Sequence, residues 1–149
     1  MKEPIFEFNK DTGFSKCIIK DKELEFIGTA QCHPDDMDMN SHFTGMTIAE
    51  MRAELAAFRH IRDNEIIPEL RALKELHGTM KHSKRFNPKS YENVMLQRAI
   101  RRKEFELKEI RTIIAEQVAA IHSFIFEKEK CYQGMRRNRV EAAHEQGQN

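Results

Sequence analysis

From Glu23 to Cys32 the chain alternates: Leu24, Phe26, Gly28, Ala30 and Cys32 are apolar or small, Glu23, Glu25, Thr29 and Gln31 are polar, and only Ile27 breaks the order. A period of two predicts a half-buried strand. Upstream, Phe6 and Phe8 alternate before the turn-forming run Lys10-Asp11-Thr12-Gly13, which predicts a hairpin into a short strand near Cys17 to Ile19. The period then changes. Between Thr47 and Arg62, Ile48, Met51, Leu55 and Phe58 recur every three or four positions, with Ala49, Ala53, Ala56 and Ala57 among them. That is an amphipathic helix whose small residues let it lie close to a sheet. Thr47 and Glu50 match a capping box, so the helix is expected to start near Thr47. Asp63-Asn64 and Pro68 are expected to end or interrupt it, since proline in a helix interior forfeits a hydrogen bond at about 3 kcal/mol.

The second half supports two patterns. Ile110, Ile113, Ile114, Val118, Ile121, Phe124 and Ile125 form a helical stripe among good helix formers. The same region also divides into strand-sized pieces: Val94, Leu96 and Ile100 alternate around Arg98, Phe105 and Leu107 sit two apart, and Val118 to Phe126 suits a strand buried on both faces. Residues 136–149 are polar, lack a core stripe and read as a flexible tail after a single domain over 1–135. No internal repeat is present.

Composition narrows the function classes. A chain of 149 residues fits one domain. The 25 Lys and Arg nearly balance 24 Asp and Glu, so no global field draws nucleic acid or an anionic membrane, neither is expected as a partner, and any basic site must be local. Three cysteines, Cys17, Cys32 and Cys131, include no C-x-x-C pair, which argues against a disulfide framework or structural zinc. With no membrane-length apolar run and no signal-peptide core in the first residues, a cytoplasmic protein is expected. The apolar fraction of 40% is modest enough that a partner subunit is expected to complete some of the burial.

Chemistry concentrates between His33 and His42, where three aspartates and two histidines crowd the passage from strand to helix. Asp36-x-Asp38-x-Asn40 invites a calcium-loop reading, but Ser41 stands at the turn-forming glycine position and Thr47 at the bidentate glutamate position. A zinc site from His33, Asp36 and His42 has no recognised spacing, so no metal is expected. The plain alternative is a set of loop and cap residues suited to a helix dipole.

The run Asp36-Met-Asp38-Met-Asn-Ser41-His42-Phe-Thr44-Gly45, following a strand and preceding a long helix, resembles the signature of the hotdog-fold thioesterases of the 4-hydroxybenzoyl-CoA and acyl-CoA thioesterase type. The resemblance covers roughly residues 23 to 128. It implies an α+β hotdog fold, an antiparallel sheet wrapped around a long central helix. A strand would lie within Leu70 to Phe86, a Pro-containing loop at Asn87 to Tyr91, and three strands at 92–102, 104–115 and 117–127, overriding the helical stripe. Ser41 replaces the family's usual glycine, and Thr44-Gly45 stand in for its asparagine pair.

By that resemblance the protein is a thioesterase acting on an acyl-CoA or acyl-carrier-protein thioester, without a cofactor. Asp38 takes the position of the nucleophile or general base, which water needs at neutral pH. Backbone N–H groups near Thr44, Gly45 and Met46 would receive the oxyanion. His42 would orient the loop or bond the carbonyl, and Glu54 is a secondary carboxylate candidate. Lys81, Lys84 and Arg85 (with His82), in preference to Arg101, Arg102 and Lys103, would meet the carrier's phosphates. A homodimer or homotetramer follows from the same resemblance. Two rival readings stand beside it: a non-hydrolytic acyl-thioester-binding or dehydratase-like hotdog protein, and a mainly helical interaction protein.

Overall fold

The computed structural model describes residues 3–33 and 41–147 and has an α+β architecture. Three strands, β1 (Ile5–Asn9), β2 (Phe14–Asp21) and β3 (Leu24–Gln31), form one antiparallel sheet in the order β1-β2-β3. They are followed by three α-helices, α1 (Ser41–His60), α2 (Ile67–Lys81) and α3 (Tyr91–Gly147). The chain divides into two compact units, residues 1–56 with 117–149, and residues 57–116.

In the first unit the alternation sets the two faces of the sheet. Ser15, Cys17 and Ile19 of β2 pair with Ala30, Gly28 and Phe26 of β3, and these side chains share one face. Cys17, Ile19, Ala30, Ala49 and Ala53 form the core cluster, with Phe26 and Ile48 packed against it. Gly28 makes this packing possible: a Cβ built on it would overlap the Ala49 carbonyl and the Ala53 backbone nitrogen. Arg52 ties helix to sheet by donating from Nη1 to the Thr29 carbonyl at 2.7 Å. On the other face Lys16 pairs with Glu7 at 3.3 Å and Lys20 with Glu25 at 2.8 Å, each opposite its partner in register. Ile27, which breaks the alternation, falls in a cross-strand row with Ile18 and Ile5 on this outer face.

Turn chemistry holds the strands. Asn9 Oδ1 accepts the Asp11 and Thr12 N–H groups at 2.9 and 3.2 Å, and Gly13 closes the turn at φ 67°, where a side chain is disfavoured.

Helix α1 starts six residues before the position that the capping box predicts. Thr47 is not a cap: its hydroxyl donates to the Phe43 carbonyl at 2.9 Å, a back-bond to the preceding turn. Near Asp63-Asn64 and Pro68 the helical path is interrupted, as expected, but it does not end. Ile61–Ile66 widen into a π-helical turn, and α2 follows with Pro68 in its first turn. Proline has no N–H for the carbonyl four residues back, and the wider turn removes the demand for one. Asn64 Nδ2 donates to the His60 carbonyl at 3.2 Å, serving an acceptor in the same stretch.

The second unit is helical. Ile66, Leu70, Leu96, Ile110 and Ile114 are buried, and Lys103 bridges Glu69 of α2 at 2.6 Å and Glu106 of α3 at 2.8 Å. Lys74 meets Glu104 at 3.0 Å. Ser90 caps α3, its Oγ accepting the Asn93 N–H at 3.3 Å, while Asn93 Nδ2 donates to the Pro88 carbonyl at 2.7 Å.

The strands expected at 92–102, 104–115 and 117–127 are therefore corrected to one helix, and the strand expected within Leu70 to Phe86 to α2 and its following turn. Pleating residues 104–115 would place charge on both faces, Glu104, Glu106 and Lys108 on one and Glu109 and Arg111 on the other. Coiled as a helix, they leave Ile110 and Ile114 on a buried stripe with the charges outside it. Residues 136–147, read from sequence as a tail, continue α3.

Candidate functional site

In the first unit, the start of α1, the end of β3 and residues 125–132 of α3 enclose a cleft of about 160 Å³. Its wall includes His33, Thr44, Gly45, Ile48, Lys128 and Tyr132. Tyr132 donates its phenol hydrogen to Thr44 Oγ1 at 2.8 Å, fixing α3 to the first turn of α1. A more open hollow of about 420 Å³ shares Thr44, Lys128 and Tyr132 with the cleft and adds His42, Cys131 and Met135.

The residues singled out by sequence are distributed unevenly over this geometry. Asp38, with its neighbours Asp35 and Asp36, lies outside the described residues. His42 is exposed and stands with its ring 5.6 Å from that of Phe8, in the open hollow rather than the cleft. Glu54 accepts a hydrogen bond from Gln117 Nε2 at 3.0 Å, and the same amide reaches the Met51 carbonyl at 3.1 Å. His42 and Glu54 are twelve residues apart on one helix, about 18 Å along its axis, so they do not converge on one reacting atom.

Thr44 and Gly45 do line the cleft. Because α1 begins at Ser41, Gly45 and Met46 fall in the second turn, where an α-helix returns each N–H to the carbonyl four residues back. The N–H groups without such carbonyls belong to the first turn, up to Thr44. The space left by the missing Gly45 side chain faces β2: a Cβ there would stand 2.5 Å from Ser15 Oγ. Ser15 is wholly buried and its hydroxyl has no hydrogen-bond partner among the described residues.

Cys17 lies beneath α1. Burial pushes its thiol up to about 11, and the carboxylates of Glu50 and Glu54 add to the effect. A thiol held protonated is no nucleophile at neutral pH. Among the described residues no group of three or more His, Cys, Asp or Glu is placed to hold a metal ion.

Lys81, Lys84 and Arg85, expected to meet phosphates, are exposed residues of the second unit. They belong to a larger basic stretch: residues 76–103 hold eight lysines and arginines against one carboxylate, Glu92. Lys103 is held by Glu69 and Glu106, which raise its affinity for its proton. Lys81, Lys84, Arg85 and Lys89, with Arg98, Arg101 and Arg102, are all exposed, and none is held in an ion pair among the described residues. Lys89 and Arg98 were not among the sequence candidates, nor were Lys128 and Tyr132. The signal for Lys89 and Arg98 was the local charge imbalance; Lys128 and Tyr132 needed the strand-or-helix choice settled first.

No protein-family model matches this chain, and no curated protein or solved structure matches it. Among the described residues, no helix is long and apolar enough to cross a membrane.

Proposed function

We propose that this protein works as an interaction protein whose working surface is the basic end of the α2–α3 helix pair, where it takes a partner carrying phosphate groups. The observation that carries this reading is the run of seven exposed cations between Lys81 and Arg102, none in an ion pair among the described residues. Seven cations in a stretch that holds a single carboxylate, Glu92, repel one another on balance, and a bound polyanion relieves that repulsion. Arginine supplies four of the seven, and its planar fork suits phosphate oxygens bidentately. Retention of the full chain on immobilised heparin tests the reading. Salt-dependent retention that collapses in Lys84→Glu/Arg85→Glu/Arg98→Glu supports it; retention unchanged by the triple substitution, or absent at low salt, overturns it.

A second reading keeps the hotdog resemblance, with an acyl-thioester hydrolase or a non-hydrolytic acyl-thioester binder at the start of α1. It is favoured by the packing of α1 against an antiparallel sheet and by the two hollows that meet at Thr44 and Tyr132. The cleft alone is smaller than the ~300 to 1,000 Å³ of ordinary small-molecule sites, so an acyl chain would need the open hollow too. Asp38 remains its proposed base, and a dimer or tetramer its proposed assembly. Thiol release from a panel of acyl-CoA and acyl-carrier substrates tests it, and no turnover with any of them removes the hydrolase.

A further inference from the structure

Helix α3 opens with an exposed stripe of unusual composition. Tyr91, Met95, Arg98, Arg102 and Phe105 follow one another at steps of four, three, four and three residues, the spacing of a single helix face. Tyr91 is 74% exposed and Phe105 59%, and Met95 between them is 42% exposed. The buried residues Leu96 and Ile110 lie on a different face, so this stripe is not the packing seam. Two aromatic rings therefore stand at the ends of the stripe, and between them are two guanidinium groups that hold no ion pair among the described residues.

We infer that single-stranded nucleic acid binds along this face. The inference rests on the phosphate-binding reading above and names its partner. An extended single strand offers what the stripe lacks: phosphates for Arg98 and Arg102, with Arg101 beside them, and unstacked base faces for Tyr91 and Phe105. Stacking on an aromatic ring tolerates any base, and a basic track follows the backbone. Tyr91 and Phe105 are fourteen residues apart, about 21 Å along the helix. That length corresponds to at most about six nucleotides, the number at the ~3.4 Å rise of a fully stacked strand, and to fewer in an extended one.

Charge is also segregated in the way this partner requires. Residues 57–116 hold 14 lysines and arginines against 9 aspartates and glutamates, a surplus that the remaining residues cancel in the chain total of +1. A lipid surface fits less well. Inserting the stripe into acyl chains would carry Arg98 and Arg102 in with the aromatic rings, at the cost of desolvating two cations. Duplex nucleic acid hides its base faces, leaving Tyr91 and Phe105 without a role.

Fluorescence anisotropy with the full chain tests this. The probes are labelled oligo-thymidylate and oligo-uridylate of about 12 nucleotides, within the usual site size, a duplex of equal length, and phosphatidylserine vesicles. The single strands are expected to bind best. Tyr91→Leu and Phe105→Leu, which keep the helix and remove the ring, are each expected to weaken binding about 5- to 100-fold. Arg98→Gln/Arg102→Gln should flatten the slope of log affinity against log salt by about 1.4, two contacts at ~0.7 each. Circular dichroism of each variant should match the parent. Equal or tighter binding to duplex or vesicles, or leucine variants as tight as the parent, overturns the single-strand inference while the phosphate reading stands. Salt-dependent self-association with no oligonucleotide binding, read as mass by light scattering, overturns it in favour of a second copy as occupant. Failure to bind heparin or any of these probes overturns both readings.

Discussion

Substitution of Gly28 by alanine isolates the contact that joins sheet to helix. In a strand interior, alanine ordinarily gains about 0.5–1 kcal/mol over glycine, because glycine loses more freedom on folding. At Gly28 the sign reverses. The added methyl would overlap the Ala49 carbonyl and the Ala53 nitrogen, both backbone atoms of α1, so no side-chain rotation relieves it. The helix must retreat, and a gap of even ~0.5–1 Å forfeits a quarter to a half of the dispersion between facing atoms. Cys17, Ile19 and Ala30 lose contact with Ala49 and Ala53, and the Arg52 bond to the Thr29 carbonyl lengthens from 2.7 Å. Overpacking costs about 1–3 kcal/mol where side chains can adjust, so a backbone clash belongs at the upper end, about 3 kcal/mol. For a chain of this size that lowers Tm by about 6–12 °C. The control is Gly134→Ala in the same unit: nothing lies within 4 Å of its added Cβ, and it sits inside α3. It should gain about 0.5–1 kcal/mol through helix propensity alone. Urea and thermal unfolding followed by circular dichroism read both. A Gly28→Ala variant as stable as the parent would refute the close approach of α1 to β3.

Two further outcomes follow from single groups. The Cys17 thiol stays protonated to about pH 11 when folded, against an ordinary value of 9.0. Its contribution is complete below pH 9 and is lost as pH rises to 11, at about 1.4 kcal/mol per pH unit. Cys17→Ala should remove that extra slope from a stability–pH curve; parallel curves for variant and parent would show that the thiol is not held neutral. Ser90→Ala removes the hydroxyl that accepts the Asn93 N–H and should cost about 1 kcal/mol, read by urea unfolding, with faster hydrogen exchange confined to the first turn of α3. Unchanged exchange there would mean that Ser90 does not cap the helix.

The strands were legible in the sequence because a period of two leaves its mark within eight residues, and Leu24 to Gln31 shows it with a single exception. Helix α1 was legible in kind but not in its start. Thr47 and Glu50 have cap-like spacing, yet Thr47 uses its hydroxyl on the Phe43 carbonyl inside the helix. Residues 92–127 depart furthest from what the resemblance implies, because a ten-residue motif outside them carries less weight than a stripe running from Ile110 to Ile125. The stripe extends over several turns, and the charges flanking it could not all leave a buried sheet. The candidate site was less legible still. Tyr132 reaches Thr44 across 88 positions of sequence, a pairing that no local pattern announces. The basic face was hidden by the near-zero total charge, which averages over two units of opposite sign.

If hydrolysis occurs at the start of α1, Asp38 is the proposed base and Glu54 stands too far along the helix to serve. Glu54 lies about 18 Å along the helix axis from His42, with Gln117 donating to its carboxylate and to the Met51 carbonyl. Glu54→Gln should therefore leave turnover of any accepted acyl-CoA unchanged, while costing about 1 kcal/mol of stability through the altered bond to Gln117. Asp38→Asn should lower turnover by about 10²- to 10⁴-fold, the range of positioned acid–base help. The reverse result, with activity lost at Glu54 and kept at Asp38, would move the reaction to the middle of α1 and end the resemblance as a guide to mechanism. Full turnover in both variants would leave neither carboxylate as the base.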